Sequence, residues 1–207
     1  EALQLTWVQF EERPSLETFK KLHDVAGKLG IWSAQRERAL SWLADLAARE
    51  AAATSRWKPM PSLPNYSLRV SIALWEEDLD AAWAAAHQGI CDRNLLVTLT
   101  DKLESARPDD AISLYRRVVP VIVGETKNSA YYEGIQLISK VGGLMKTLNQ
   151  SRQFGDYLAE MRVQFALGVA LGHLGRGERP DLRGLALAAE LDESLPAEFA
   201  HRLLGGL

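Results

Sequence analysis

Apolar residues along this chain recur at spacings of three and four, the period of one helix face, and glycine, proline and acidic turns interrupt them. Pro14-Ser15 opens the first clear run. Ser15 is placed to cap it, Glu17 suits the positive end of the helix dipole, and Gly30 is placed to end it. Leu16, Phe19, Leu22, Ala26 and Leu29 fall on one face between them. A second run, with Ser33 as its expected cap, carries Leu40, Leu43, Leu46 and Ala47 inward, and the alanines up to Ala53 extend it without defining a core face. Together they predict an N-terminal helical hairpin over residues 1–54. Residues 55–66 contain Pro59, Pro61 and Pro64. Proline lacks the backbone donor and disfavours helix in the residue before it, so an extended linker is expected there, with Trp57 and Met60 available to pin it.

Short amphipathic helices then follow one another over residues 67–165. Leu68, Ile72 and Trp75 line one. Glu76-Glu77 form a turn, and Asp78 caps the next helix, with Leu79, Ala82, Trp83 and Ala86, up to Gly89. Asp92 caps another, bearing Leu95, Leu96, Leu99 and Leu103; the β-capable run Leu95 to Thr100 sits inside that helical frame. Pro108, at a favoured first-turn position, opens a helix with Ala111, Ile112, Tyr115, Val118, Val119 and Ile122, which Pro120 is expected to end or bend. Asn128 or Ser129 starts the next, with Tyr131, Ile135, Ile138, Met145 and Leu148 inward, and Ser151 starts one with Phe154, Leu158, Met161 and Phe165. The unit of about 35 to 40 residues lies in the range of tetratricopeptide-like repeats, whose consensus survives in fragments such as Pro108-x-x-Ala111-x-x-x-Tyr115. The predicted fold is therefore all-α, antiparallel helical hairpins stacked as a tetratricopeptide-like α-solenoid. The Gly-, Leu- and Ala-rich residues 166–207 are expected to form a helical tail that caps it.

Composition narrows the functional classes. Hydrophobic residues make up 47% of the 207 residues, enough for a packed core. Cys91 is the only cysteine, so no internal disulfide is available, which fits a reducing, cytoplasmic setting. The net charge of -3 argues against a general electrostatic grip on nucleic acid. The small basic clusters Arg36-Arg38 and Arg116-Arg117 read either as solvated helix faces or as phosphate contacts. No apolar run is long enough to span a membrane, and the opening Glu1-Ala2-Leu3 lacks a basic-then-apolar segment, so neither a membrane span nor a signal peptide is expected. The missing initiator methionine points to a processed chain or an excised fragment.

Candidate chemistry is sparse. His87 and Cys91 lie four apart, but Gly89 intervenes, and two ligands fall short of a structural zinc site. Glu76-Glu77-Asp78-Asp80 offers paired carboxylates for proton transfer or a hard cation, or simply a capped, solvated turn. Gly172-x-x-Gly175-x-Gly177 lacks the strand before it and the Lys-Ser/Thr after it that a phosphate loop requires. Gly142-Gly143 inside a helical frame implies close packing, a kink or a hinge. His23, His87, His173 and His201 are scattered, and no serine sits in a Gly-x-Ser-x-Gly elbow.

The string Leu74-Trp75-Glu76-Glu77-Asp78-Leu79-Asp80-Ala81-Ala82-Trp83, followed by Ala86, Gly89 and Cys91, resembles the helical C-terminal region of bacterial SWIM zinc-finger proteins. The likeness continues through Pro108-Asp109-Asp110-Ala111, Tyr115-Arg116-Arg117, Asn128, Tyr132, Leu144-Met145, Phe154, Tyr157-Leu158 and Arg162. Upstream it takes in Trp7, Phe10, Arg13 to Leu16, Trp32 and Arg36 to Leu40. The Cys-x-Cys…Cys-x-His metal motif is absent, so zinc binding does not carry over, and residues after Phe165 depart from the Lys/Arg-rich stretch usual there. The resemblance implies a helical module; with the metal motif missing from this sequence, no metal and no cofactor are expected. A protein partner, or a segment of the parent chain, is expected, with Trp42, Trp57, Arg116 and Arg117 as candidate contacts. The alternatives are an accessory nucleic-acid-binding module of a SWIM-type protein and a helical enzyme whose site is not visible in sequence.

Overall fold

Helix boundaries follow capping chemistry. The computed structural model describes residues 1–53, 60–125 and 128–161, apart from the side chains of Asn128 and Tyr131. Trp57, Phe165 and the tail therefore lie outside the described residues. All regular structure among the described residues is helical: α1 (Ala2–Glu12), α2 (Leu16–Lys28), α3 (Trp32–Ala52), α4 (Ser67–Trp75), α5 (Leu79–Gln88), α6 (Arg93–Leu103), α7 (Pro108–Val123), α8 (Asn128–Thr147) and α9 over 151–161. The chain divides into two compact units, Glu1–Leu99 and Thr100–Leu207.

In the first unit, Ser15 caps α2 through a reciprocal box with Thr18: the Ser15 hydroxyl accepts from the Thr18 N–H, and the Thr18 hydroxyl accepts from the Ser15 N–H. Gly30 adopts φ +69 after α2, where the Gly30 N–H donates to Gly27 O and the Ile31 N–H to Ala26 O. This is a Schellman turn, and a residue without Cβ meets its left-handed step at least cost. Leu29, expected inward, is 58% exposed because the chain leaves the helix there.

Three other expectations change. α1 was not anticipated: its Glu1 N-cap makes no side-chain bond, and exposed Leu5 and Val8 blur the stripe made by buried Trp7 and Phe10. Ser33 does not cap α3; Ile31 holds the N-cap position, without a side-chain bond, and Ser33 lies in the first turn. The alanines of α3 do define a face, since Ala39, Leu43, Ala47 and Ala51 are buried at intervals of four. The core of this unit joins Trp7, Phe10, Phe19, Leu22, Ala39, Leu43 and Ile72, with Trp32, Trp42 and Trp75 packed on its edge.

The proline-rich segment meets the body through its described end. Tyr66 N–H donates to Ile90 O and Ile90 N–H to Pro64 O, each at 2.8 Å, an isolated parallel bridge. Gly89 fits this approach because a Cβ there would stand 2.2 Å from the Pro64 carbonyl oxygen. Asn65 Oδ1 accepts from the Ser67 N–H and hydroxyl, and the Ser67 hydroxyl accepts from the Asp92 N–H. Asp92 in turn caps α6 through the N–H groups of Asn94 and Leu95.

In the second unit, α7 buries Ala111, Ile112, Leu114, Tyr115, Val118, Val119, Ile122 and Val123. Pro120 does not end α7, which runs on to Val123. Proline removes one donor so near the end, and the buried face of that last turn holds the helix together. α7 packs on α8. Gly142 of α8 receives the Phe154 ring of α9: a Cβ at Gly142 would lie 2.7 Å from Phe154 Cζ, whereas a Cβ at Gly143 would meet nothing within 4 Å. Of the readings for this pair, Gly142 takes close packing. Gly142→Ala is expected to destabilise by about 1–2 kcal/mol through overpacking. Gly143→Ala is expected to stabilise by up to about 1 kcal/mol through helix propensity. Denaturant unfolding of the two variants checks the opposite signs; equal effects would contradict the packing account.

Candidate functional site

The first unit carries an open depression of about 360 Å³ lined by His23, Trp32, Arg36, Trp75, Glu76 and Asp78. Three helices and one turn build it. His23 comes from α2, one residue after buried Leu22, so it stands beside the core stripe rather than within it. Trp32 starts α3, and Arg36 follows one turn later on the same face. Trp75 ends α4, and Glu76 and Asp78 belong to the turn into α5.

The rings are held rigidly. His23 meets Trp32 at 4.8 Å and Trp75 at 5.2 Å, both edge to face. Phe19, fully buried beneath them, meets Trp32 at 5.3 Å and Trp75 at 6.1 Å. The indoles are therefore half-buried, with one side on the core and another on the depression. Lys20 Nζ lies 5.3 Å from the Trp75 ring centre, a cation–π contact.

The charged rim is fixed by geometry. Arg36 Nε and Nη2 donate to Glu76 Oε1 and Oε2, both at 2.7 Å, a bidentate pair. That hydrogen bonding raises the Arg36 pKa against the opposing effect of burial. Asp78 Oδ1 accepts from the Ala81 N–H at 2.9 Å and so caps α5. Glu77 between them adopts φ +60, the left-handed region, and the Asp78 N–H donates back to Ala73 O. This is a Schellman turn with an L-residue where glycine is favoured. The lining holds two carboxylates to one guanidinium, and Arg36 feels the charge of both.

The second unit holds a separate polar cluster. The buried Tyr115 hydroxyl donates to Asp101 Oδ1 at 2.8 Å and contacts Glu104 Oε1, while Lys140 Nζ donates to Asp101 Oδ1 at 2.6 Å. Burial, then hydrogen bonding to Glu104 and Asp101, pushes the Tyr115 phenol above its ordinary range. The hydrogen bond to Asp101 raises Lys140. Burial opposes the charge of Asp101, but hydrogen bonds from Lys140 and Tyr115 outweigh it and lower its carboxyl. Near neutral pH the phenol stays protonated and the amine stays charged, so neither serves as base or nucleophile. The cluster ties α6, α7 and α8 together.

The candidate contacts drawn from sequence fall elsewhere. Trp42 is half-buried on the first core, 5.5 Å from Phe10. Trp57 lies outside the described residues. Arg116 pairs with Glu160 at 3.6 Å and lies over the Tyr157 ring at 5.1 Å; Arg117 is exposed on α7. Arg38 stacks over Trp7 at 4.0 Å, so the Arg36-Arg38 pair is spent on Glu76 and Trp7. His87 packs on Trp83 and contacts the Trp83 carbonyl oxygen at 2.9 Å. Among the described residues no group of three or more His, Cys, Asp or Glu is arranged to hold a metal ion. Among them, too, no helix is long and apolar enough to cross a membrane.

Two outcomes follow from the ion pairs. Arg36→Lys is expected to cost about 1 kcal/mol, because a lysine cannot span both Glu76 oxygens; thermal unfolding measures it, and an unchanged midpoint would contradict the bidentate role. For the second cluster, the lowered Asp101 contributes stability above its ordinary 3.8 that is lost as pH falls through the lowered value. The raised Lys140 contributes fully below its ordinary 10.5 and loses its share as pH rises through the raised value. The stability difference between wild type and Lys140→Met is thus expected to stay flat from about pH 5 to 9 and shrink at both ends. It stays below about 1 kcal/mol because the pair is half exposed. A steep change near neutral pH in denaturant titrations would count against this assignment.

No family model, no curated protein and no solved structure matches this chain.

Proposed function

We propose that this chain is a non-catalytic helical module, with its hairpins stacked in the manner of a tetratricopeptide-like solenoid, that binds another protein or another segment of its parent chain. One observation carries the reading: Trp32 and Trp75 turn part of their surface to an open depression instead of closing over the core. Exposed indole surface beside a fixed polar rim is the composition of interface anchors. The neighbouring polar groups are already committed, Arg36 to Glu76 and Asp78 Oδ1 to the α5 cap, which suits orienting a partner better than cycling protons. The resemblance of Leu74 to Trp83 to the helical region of SWIM proteins supports the same kind of role, a module joined to other segments.

The immobilised 207-residue chain is expected to retain a partner from a homologous lysate, and Trp75→Gln is expected to abolish that retention. Trp42→Gln, which alters the same core away from the depression, serves as the folding control and is expected to keep it. Retention that survives Trp75→Gln would refute this surface as the interface.

A further inference from the structure

We propose that the depression lined by His23, Trp32, Arg36, Trp75, Glu76 and Asp78 receives an arginine side chain from a basic segment of the partner. The inference rests on the interaction-module reading above and names what occupies its site. Three observations lead to it.

The first is charge. Arg36 pairs with Glu76 and also feels the charge of Asp78, so the lining holds two carboxylates to one guanidinium. Exposed Glu77 continues the acidic turn between them. The carboxylates of this turn thus outnumber the Arg36 guanidinium that faces them, and a positively charged occupant is the complementary one.

The second is the walls. Indole is the strongest cation–π surface among side chains. Trp32 and Trp75 both reach the depression, fixed from beneath by Phe19 and from the side by His23. This chain already places cations on its rings: Lys20 over Trp75 at 5.3 Å and Arg38 over Trp7 at 4.0 Å.

The third is rigidity. The Arg36 fork holds the Glu76 carboxylate still, and the α5 cap holds Asp78 still. A guest cation therefore meets acceptors that need no reordering. Arginine suits this lining better than lysine. Its guanidinium is planar, weakly hydrated, able to stack on indole and able to engage carboxylate oxygens through several donors at once.

The test uses the full chain and a short uncharged peptide carrying one central arginine, with citrulline and lysine counterparts. Indole N–H signals of Trp32 and Trp75 are followed by heteronuclear NMR during titration to about 10 mM, the range of a weak single-anchor contact. Saturable shifts of both indoles are expected with the arginine peptide. Affinity is expected to be at least about tenfold lower with citrulline, the scale of one cation–π and carboxylate contact. Asp78→Asn keeps the helix cap, since Asn caps as well as Asp, but removes the charge. It is expected to weaken arginine binding about threefold or more and to flatten its salt dependence.

No saturable shift, equal binding of citrulline, or lysine binding as tightly as arginine would each overturn the assignment. If a Trp75-dependent partner is retained while the arginine peptide fails, the occupant is wrong and the module reading stands. If retention is also indifferent to Trp75, the module reading itself fails.

Discussion

Phe19 is the contact on which the first unit depends. It is fully buried on α2, and its ring meets Phe10 of α1, Trp32 of α3 and Trp75 of α4. One side chain therefore joins four helices. Each aromatic pair adds roughly 0.5–1.5 kcal/mol beyond the area it buries, so the three together are comparable with much of the net stability of a small domain. The same ring also places the two indoles of the depression. Packing and site are one arrangement here: what holds Trp32 and Trp75 against the core also presents them outward, and Arg36–Glu76 then ties α3 to the end of α4 across 40 residues.

Much of this was legible from sequence where the signal is local. Ser15, Gly30, Asp78, Asp92 and Pro108 each mark a helix boundary that the structure bears out, because a cap acts within four residues of itself. The buried face of α7 was readable for the same reason, as an unbroken 3.6-residue stripe. Local signals failed where tertiary contacts decide. α1 lacks a cap and a clean stripe, yet Trp7 is held by its indole N–H donating to Gln35 Oε1 at 2.7 Å and by Arg38 above it. Pro120 carries a helix-breaking signal that the buried last turn of α7 overrides.

The depression was not legible at all. Its lining comes from positions 23, 32, 36, 75, 76 and 78, and no spacing rule links the first three to the last three. Trp75 read as hairpin core and Arg36 as half of a basic cluster, and both readings were partial. Trp75 is packed on the core and also faces the depression, and Arg36 is a cation already spent on Glu76. The acidic run from Glu76 to Asp80 was visible, but the aromatic rings that give it a use arrive only with the fold.

Three left-handed turns among the described residues put different residues in one geometry: Gly30, Glu77 and Asn149, each followed by an amide that reaches back to the helix just ended. Glycine and asparagine are the usual occupants of that step, whereas glutamate is held there against a preference of about 1 kcal/mol. Sequence drift at position 77 thus faces two opposed pressures. A change to glycine relaxes the backbone and strengthens the hairpin, and it also deletes a carboxylate from the acidic turn beside the indoles. Stability and surface charge are traded against each other at a single residue, so a substitution that relaxes the hairpin also dilutes its field.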